Sequence, residues 1–192
     1  MAHLRQFDKK REQFKVLSNK KHCDYTDTLK IHDLAIILDG ERERTGRFLY
    51  LSKSHYKPSK IISIEKKKLF KKRQYSRCIQ KQFNDGLDDI PNNKATSIFA
   101  DLMCSPRTFN KKKTYKKIID KFHPKGCSFS ITFSTRDTNG QMYRKNLLNF
   151  KQNFKNNCKK QGFIPIFKEK IKSNKHRKTR GGYVETLYYI IK

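Results

Sequence analysis

The segment Gly126-Cys-Ser-Phe-Ser-Ile-Thr-Phe133 alternates between apolar and hydroxyl side chains. Its apolar set is Cys127, Phe129, Ile131 and Phe133, and its hydroxyl set is Ser128, Ser130 and Thr132. A period of two residues is typical of a β-strand with one buried face. The segment therefore predicts a strand that packs its aromatic side against a core.

The residues that follow continue this pattern into a larger unit. From Tyr143 to Cys158 the apolar residues recur in steps of three and four, which predicts an amphipathic helix. Gly162 stands where a helix commonly ends. Phe163–Phe167 and Tyr183–Ile191 are two further strand candidates, separated by a strongly cationic loop. The last third of the chain thus predicts a β-α-β-β unit with a cationic finger.

The residues before this unit are more basic and less regular. Asp39-Gly40 lies between two short apolar runs, which indicates a hairpin. Ser105-Pro106 is typical of a helix start. The remaining predictions are a basic arm or a frayed helix over 1–30, hairpin strands at 34–38 and 48–51, a helix over 60–83, a loop over 84–93, a short helix over 96–104 and a helix from 106 to 122.

These elements predict an α+β fold. Its C-terminal part is a ferredoxin-like β-α-β-β unit, and its N-terminal half is basic and mainly helical. The loop at 84–93 suggests a division into residues 1–93, with the arm, hairpin and basic helix, and residues 94–192, with the core and its leading helices.

Charge is the strongest compositional signal. The 192 residues contain 46 Lys and Arg against 17 Asp and Glu, a net charge of +29. Such a chain repels itself unless a polyanion neutralises it, so DNA or RNA is the predicted partner, with proteins of a replication or ribosomal assembly as further candidates. No stretch approaches the roughly 20 apolar residues that span a bilayer, so no membrane partner is predicted. The expected location is the cytoplasm, of a host cell if the protein is viral.

The candidate binding residues are lysines and arginines in three clusters. They would contact phosphates and position the chain without reading sequence. Tyr183, Phe163 and Phe167 would stack on bases if their strand faces are open, or pack in the core if they are not. The cationic residues are Lys172, Lys175, Arg177, Lys178 and Arg180 in the finger, Lys111, Lys112 and Lys113 before the core, and Lys71, Lys72 and Arg73 in the predicted basic helix.

Motifs for catalysis are missing from the sequence. It contains no G-x-S-x-G, no H-E-x-x-H and no G-x-x-x-x-G-K-[ST]. The five cysteines form no C-x-x-C pair, which argues against both a disulfide framework and a zinc site. We therefore predict no catalytic residue, no metal and no cofactor, and lean towards a binding protein.

The C-terminal unit resembles the replication initiators of filamentous phages and other rolling-circle elements. The similar features are the strand Phe129–Phe133, the basic helix Arg144–Lys160 and the strand Phe163–Glu169. The resemblance implies a DNA-binding protein of a mobile element. That family carries His-hydrophobic-His on its last strand, whereas Gly181–Leu187 has no histidine here. Tyr188 and Tyr189 lie within a predicted strand, so an active nickase is the less favoured alternative.

The same unit is also similar to the small-subunit ribosomal protein whose long loop ends in Lys-Ser-Arg-Glu-Gln-Phe. The matching residues are Lys178–Tyr183, Arg136-Asp137 and Gly162–Pro165. This alternative implies a divergent organellar protein in the mitochondrial matrix whose basic loop reaches into ribosomal RNA.

Overall fold

The computed structural model describes residues 2–38, 43–66, 73–135, 140–173 and 183–192, with residues 2–11, 103 and 112 described by their backbone only. Seven strands in these residues form one sheet. The strands are β1 (Leu34–Ile37), β2 (Ile61–Ile64), β3 (Arg77–Ile79), β4 (Ala95–Cys104), β5 (Cys127–Ser134), β6 (Pro165–Lys172) and β7 (Val184–Ile191). The helices are α1 (Ala2–Thr26), α2 (Arg44–Leu51), α3 (Phe83–Gly86), α4 (Pro106–Lys112), α5 (Thr114–Lys121) and α6 (Gly140–Lys160), with single 3₁₀ turns at Pro58–Lys60 and Leu87–Asp89.

The strand order is β3-β2-β1-β4-β5-β7-β6. All neighbouring pairs from β3 to β5 are parallel, and β7 runs antiparallel to both β5 and β6. Helices cover both faces of the sheet, which is the layer arrangement of α/β proteins.

One face of the sheet carries an aromatic core. The apolar side chains of β5 pack against those that recur along α6 and against α4 and α5. Phe129 lies 5.1 Å from Phe154, and Phe133 lies 5.0 Å from Phe150, measured between ring centroids. These spacings are typical of favourable aromatic pairs, so the periodicity of the two elements brings their rings together.

The opposite face carries a polar layer under α1. His22 of α1 is fully buried and hydrogen bonds to Ser130 and Ser97, each over 2.8 Å. Thr26, one turn later, contacts Ser128 over 2.6 Å. The hydroxyl side of β5 is thus satisfied by a helix rather than by water.

The predicted fold class is wrong. Instead of a ferredoxin-like unit beside a helical half, one mostly parallel sheet runs through the chain. The physical reason is the polar layer: all eight residues of β5 are buried, although alternate ones are polar. Alternation was therefore evidence for a strand but not for a face open to solvent.

Several predictions in the N-terminal half are also wrong. The hairpin fails because residues 48–51 belong to α2. The helix over 60–83 is replaced by β2 and β3, and the short helix over 96–104 is β4. Strands buried on both faces read as short apolar runs, which periodicity cannot separate from buried helix.

The helical predictions had mixed outcomes. Residues 2–26 of the predicted arm form α1, and one side of its last two turns is buried against the sheet. The helix from 106 to 122 is two helices, because Lys113 takes up a left-handed conformation with φ of 50°. The elements predicted as β5, α6, β6 and β7 are confirmed, with bounds that differ by a few residues.

The sheet contains strands from both predicted halves, and the division at residue 93 stays a prediction. None of the helices in the described part of the chain has the length and apolar content needed to span a bilayer.

Gly86 provides a test of how tightly the core is packed. A Cβ at this position would lie 2.6 Å from Cγ2 of the fully buried Ile64. We expect Gly86→Ala to lower the free energy of unfolding by about 1–3 kcal/mol, the usual cost of overpacking. Urea unfolding followed by circular dichroism measures this. Gly140→Ala is the matched control, because a Cβ there would meet nothing within 4 Å. Equal stabilities of the two variants would contradict the packing described here.

Candidate functional site

The strand topology predicts a crevice at the carboxyl edge of the sheet, where the chain direction across the sheet reverses. β1 is hydrogen bonded to β2 on one side and to β4 on the other. The connections that leave β1 and β4 therefore run to opposite sides, and such a switch point is where open α/β sheets bind ligands. Three segments outside the described residues, 39–42, 67–72 and 136–139, follow the carboxyl ends of β1, β2 and β5.

Glu43 lies between β1 and α2, on the side of this predicted crevice where β2 and β3 lie. It precedes α2 in a left-handed conformation with φ of 44°, and its side chain is buried. The carboxylate accepts hydrogen bonds from the backbone N–H of Gln74 (2.7 Å) and Tyr75 (3.0 Å) and from the Ser76 hydroxyl (3.1 Å). Glu43 thus ties the start of α2 to the chain entering β3.

A second carboxylate stands at the end of β2. Glu65 directly follows Ile64, is half-buried, and donates its backbone N–H to the Ile79 carbonyl over 3.0 Å. This bond continues the ladder between β2 and β3 by one residue. An acidic side chain at this place in an open α/β sheet can accept hydrogen bonds from ribose hydroxyls.

The carboxyl end of β4 lies at the same edge of the sheet. Ala100 pairs with Ile131 and Cys104 pairs with Phe133, so three residues of β4 lie opposite one residue of β5. These three residues, including the half-buried Asp101, form an irregularity in the ladder near the end of the strand. The buried Ser105 then caps α4 by accepting the Thr108 N–H over 3.3 Å.

The same edge also receives the two ends of the cationic loop. β7 is antiparallel, so it begins where β5 ends, and the Tyr183 carbonyl accepts the Thr135 N–H over 3.0 Å. β6 ends beside it, with Lys172 paired to Glu185 in the ladder. Residues 174–182 lie outside the described part of the chain, but the strands place their attachment points at the crevice edge.

Comparison with known proteins identifies this arrangement. No protein-family model matches the sequence, and no curated protein matches it significantly. Solved structures share its sheet and helices. The fold is that of the Rossmann-like methyltransferases.

Three of these structures illustrate the likeness. TYW2 from M. jannaschii, solved with AdoMet, aligns with a TM-score of 0.54 and 12% identity over 90% of this chain and 75% of its own. A methyltransferase from Galdieria sulphuraria, provisionally assigned to sarcosine and dimethylglycine, aligns with a TM-score of 0.55 and 10% identity. The alignment covers 93% of this chain and 85% of that protein. Trm5b from Pyrococcus abyssi aligns with a TM-score of 0.56 and 9% identity, over 88% of this chain and 48% of its own. This chain spans 63% of a provisionally assigned transferase from Pyrococcus horikoshii, so some of these proteins are considerably longer.

Both family resemblances drawn from the sequence are wrong. The β-α-β-β unit is the second half of a Rossmann-like sheet, not a phage replication initiator or a ferredoxin-like ribosomal protein. The predicted roles in replication and in the ribosome, and the nickase alternative, are therefore wrong as well. Tyr188 and Tyr189 are buried in β7, where burial raises the pKa of each hydroxyl, so neither resembles a nucleophile.

The structure brings few of the predicted phosphate-binding residues together. Lys172 is exposed on β6, and Lys111 and Lys113 are exposed around the end of α4. Arg73 is different, because its side chain is 6% exposed and lies 4.0 Å from the Glu43 carboxylate. The remaining candidates lie outside the described side chains: Lys71, Lys72, Lys112, Lys175, Arg177, Lys178 and Arg180.

The aromatic candidates divide between core and surface. Phe163 is buried in the aromatic core, Tyr183 is half-buried and Phe167 is 43% exposed. Within the described residues, no three His, Cys, Asp or Glu side chains lie close enough to hold a metal ion.

Proposed function

We propose that this chain binds S-adenosylmethionine in the crevice at the ends of β1, β2 and β4 and methylates a nucleic acid. The observation that carries the proposal is Glu65, which stands at the end of β2 beside the switch point of a methyltransferase-like sheet. TYW2 from M. jannaschii binds AdoMet on the same fold. The charge of +29 supports a polyanionic substrate.

The residues of the crevice suit this donor. The Glu65 carboxylate would accept the ribose hydroxyls, and the negative charges of Glu65 and Asp101 suit a cationic sulfonium. Leu38 and Ile79, both half-buried at the ends of the two strands that flank β2, offer apolar surface to an adenine. The segment between β1 and α2 lacks a G-x-G-x-x-G run, so the acidic strand end rather than a glycine loop supports the assignment.

When bound, S-adenosylmethionine supplies an electrophilic methyl group. A lone pair of the acceptor bonds to the methyl carbon, and the sulfur keeps the electrons of the sulfur–methyl bond that breaks. An acceptor that carries a proton then releases it. The role of this chain is to hold the two partners in line. Placing reactants in one site removes much of the entropic barrier to their reaction. The positive charge near the crevice would hold the nucleic acid.

Calorimetric titration with S-adenosylmethionine tests the donor site. We expect the wild-type chain to bind, and Glu65→Ala to bind at least tenfold more weakly, because hydrogen bonds to a charged group contribute about 1.5–3 kcal/mol each. Asp24→Ala is the control, since it removes the same charge from an exposed position on α1. Absence of binding by the wild-type chain, or equal affinities of the two variants, would contradict the proposed site.

Transfer of a radioactive methyl group to RNA and to DNA then tests the reaction. We expect label in one of these polymers and none in a protein substrate such as casein. Label that appears only in protein would contradict the assignment of the substrate.

A further inference from the structure

A basic surface with open aromatic rings lies where α6 meets the edge strand β6. We call it the β6–α6 face and define it as Arg144, Lys151, Phe167, Lys170, Lys172 and Tyr183. Lys151 Nζ lies 4.5 Å from the centre of the Phe167 ring, and Lys172 Nζ lies 4.6 Å from that of Tyr183. Cations and rings are thus interleaved on one surface.

The positive charge of this face is poorly compensated. α6 contains six Lys and Arg and no acidic residue, and nearly all of these cations are exposed. Glu185, 1% exposed, is the carboxylate beneath the face. Its Oε1 accepts the Tyr143 hydroxyl over 3.0 Å, whereas Oε2 has no hydrogen-bond partner in the described residues. Lys172 and Lys170 approach Oε2 only to 3.7 and 3.9 Å.

The cations also act on one another. Burial lowers the pKa of Lys151, and the neighbouring Lys170 lowers it further, while Glu185 acts in the opposite direction. Arg144 and Lys170 likewise oppose the rise that burial and Glu185 cause in the pKa of Tyr183. Like charges held this close repel, and an arriving polyanion would relieve that repulsion.

The spacing and the open rings favour one kind of polyanion. Lys170 and Lys172 are two residues apart on a strand and point to the same face, about 6–7 Å from each other. This is close to the distance between neighbouring phosphates of an extended single strand. Phe167 is 43% exposed, so part of its ring is accessible to a base. Lysines along a backbone with aromatic platforms beside them are typical of single-strand binding.

We infer that the β6–α6 face binds a single-stranded segment of nucleic acid, with phosphates on Lys151, Lys170 and Lys172 and a base on Phe167. The face leads to the carboxyl edge of the sheet, because β6 ends there beside the start of β7. The inference rests on the proposed function, since it supplies the path by which the substrate reaches the methyl donor. A duplex would bind more weakly, because its stacked bases cannot cover Phe167.

Fluorescence anisotropy with a labelled 12-nucleotide single-stranded RNA and the full chain tests the phosphate contacts. We expect K151Q/K170Q/K172Q to bind at least tenfold more weakly. The slope of log affinity against log salt concentration should also be smaller by about 2, because each lost phosphate contact on a single strand contributes about 0.7. The control K20Q/K53Q/K57Q removes the same charge from exposed positions elsewhere and should change affinity less than threefold. R144Q/K151Q leaves Lys170 and Lys172 beside Glu185, so it tests the face even if the triple variant unfolds.

Phe167→Leu tests the stacking contact without removing charge. We expect it to weaken single-stranded RNA binding by about five- to 150-fold, the range for one stacked base. Binding of polyglutamate should not change. Equal binding of a duplex or of polyglutamate, or unchanged RNA affinity in the face variants, would overturn the inference. Affinity for S-adenosylmethionine is measured on the same variants and should be unchanged, so a failed donor site and a failed face give different results.

Discussion

Replacing His22 by alanine should lower the free energy of unfolding by roughly 3–5 kcal/mol, the range for losing a large buried side chain together with its hydrogen bonds. The ring is fully buried, stacks on Phe99 at 5.1 Å, and uses both nitrogens to join Ser97 and Ser130. Removing the ring leaves a cavity, and the buried hydroxyls of Ser97 and Ser130 each lose a hydrogen bond. Urea unfolding should show a midpoint lower by about 1–3 M.

The control for this variant is His55→Asn. His55 is exposed and has a positive φ of 47°, a conformation that asparagine tolerates. We expect its midpoint to stay close to that of the wild type. If His22→Ala and His55→Asn were equally stable, α1 would not be held by the polar layer described here.

His22 also makes stability depend on pH. Burial lowers its pKa to about 3, whereas an unfolded histidine titrates near 6.5. Between these values the unfolded chain binds a proton that the folded chain does not, so stability falls as pH falls through this window, by about 1 kcal/mol per unit. The wild type should therefore lose more stability than His22→Gln between pH 6.5 and 5. Parallel curves for the two proteins would contradict a buried neutral ring.

Replacing Glu43 by alanine should have the second-largest effect, a loss of roughly 2–4 kcal/mol, because buried donors left without an acceptor cost about 1–3 kcal/mol each. The Gln74 and Tyr75 N–H groups and the Ser76 hydroxyl would all lose their acceptor. The chain entering β3 would then separate from α2. We also expect weaker binding of S-adenosylmethionine, because Glu43 holds together two segments that flank the proposed donor site.

Two variants make the Glu43 result specific. Glu43→Gln keeps the shape of the side chain and one acceptor oxygen, so its free energy of unfolding should lie between those of the wild type and Glu43→Ala. Glu12→Gln alters a half-exposed carboxylate of α1 that pairs with Arg44, and should change stability by less than 1 kcal/mol. If Glu43→Ala unfolded at the wild-type midpoint, the carboxylate would not be what holds the two segments together.

Local pattern was sufficient where an element has one strongly apolar side. The steps from Tyr143 to Cys158 predicted α6, and alternation from Cys127 to Phe133 predicted β5. Residues 61–64 and 95–104 were read as helix because β2 and β4 are largely buried on both faces and show no clear alternation. Only pairing with β1 on both sides reveals them as strands.

The candidate donor site was missed for a related reason. Leu38, Glu65 and Asp101 are far apart in sequence and meet because parallel strands end at the same edge. The available signal was a short apolar run followed by an acid, at Ile64-Glu65, repeated after Leu38 with Asp39. Read as a series of buried parallel strands, these runs would have predicted a crevice with carboxylates.

By itself, the sequence determined the charge of the protein, which predicts a nucleic-acid partner. It also determined the elements from β5 to β7. These follow from composition and from periodicity over a few residues. Tertiary structure alone decided what covers the hydroxyl side of β5. His22 and Thr26, more than 70 residues away from Ser97, satisfy that side and allow a polar strand face to be buried. Burial on both faces places β5 within an open sheet, and that sheet brings the ends of β1, β2 and β4 together at one edge.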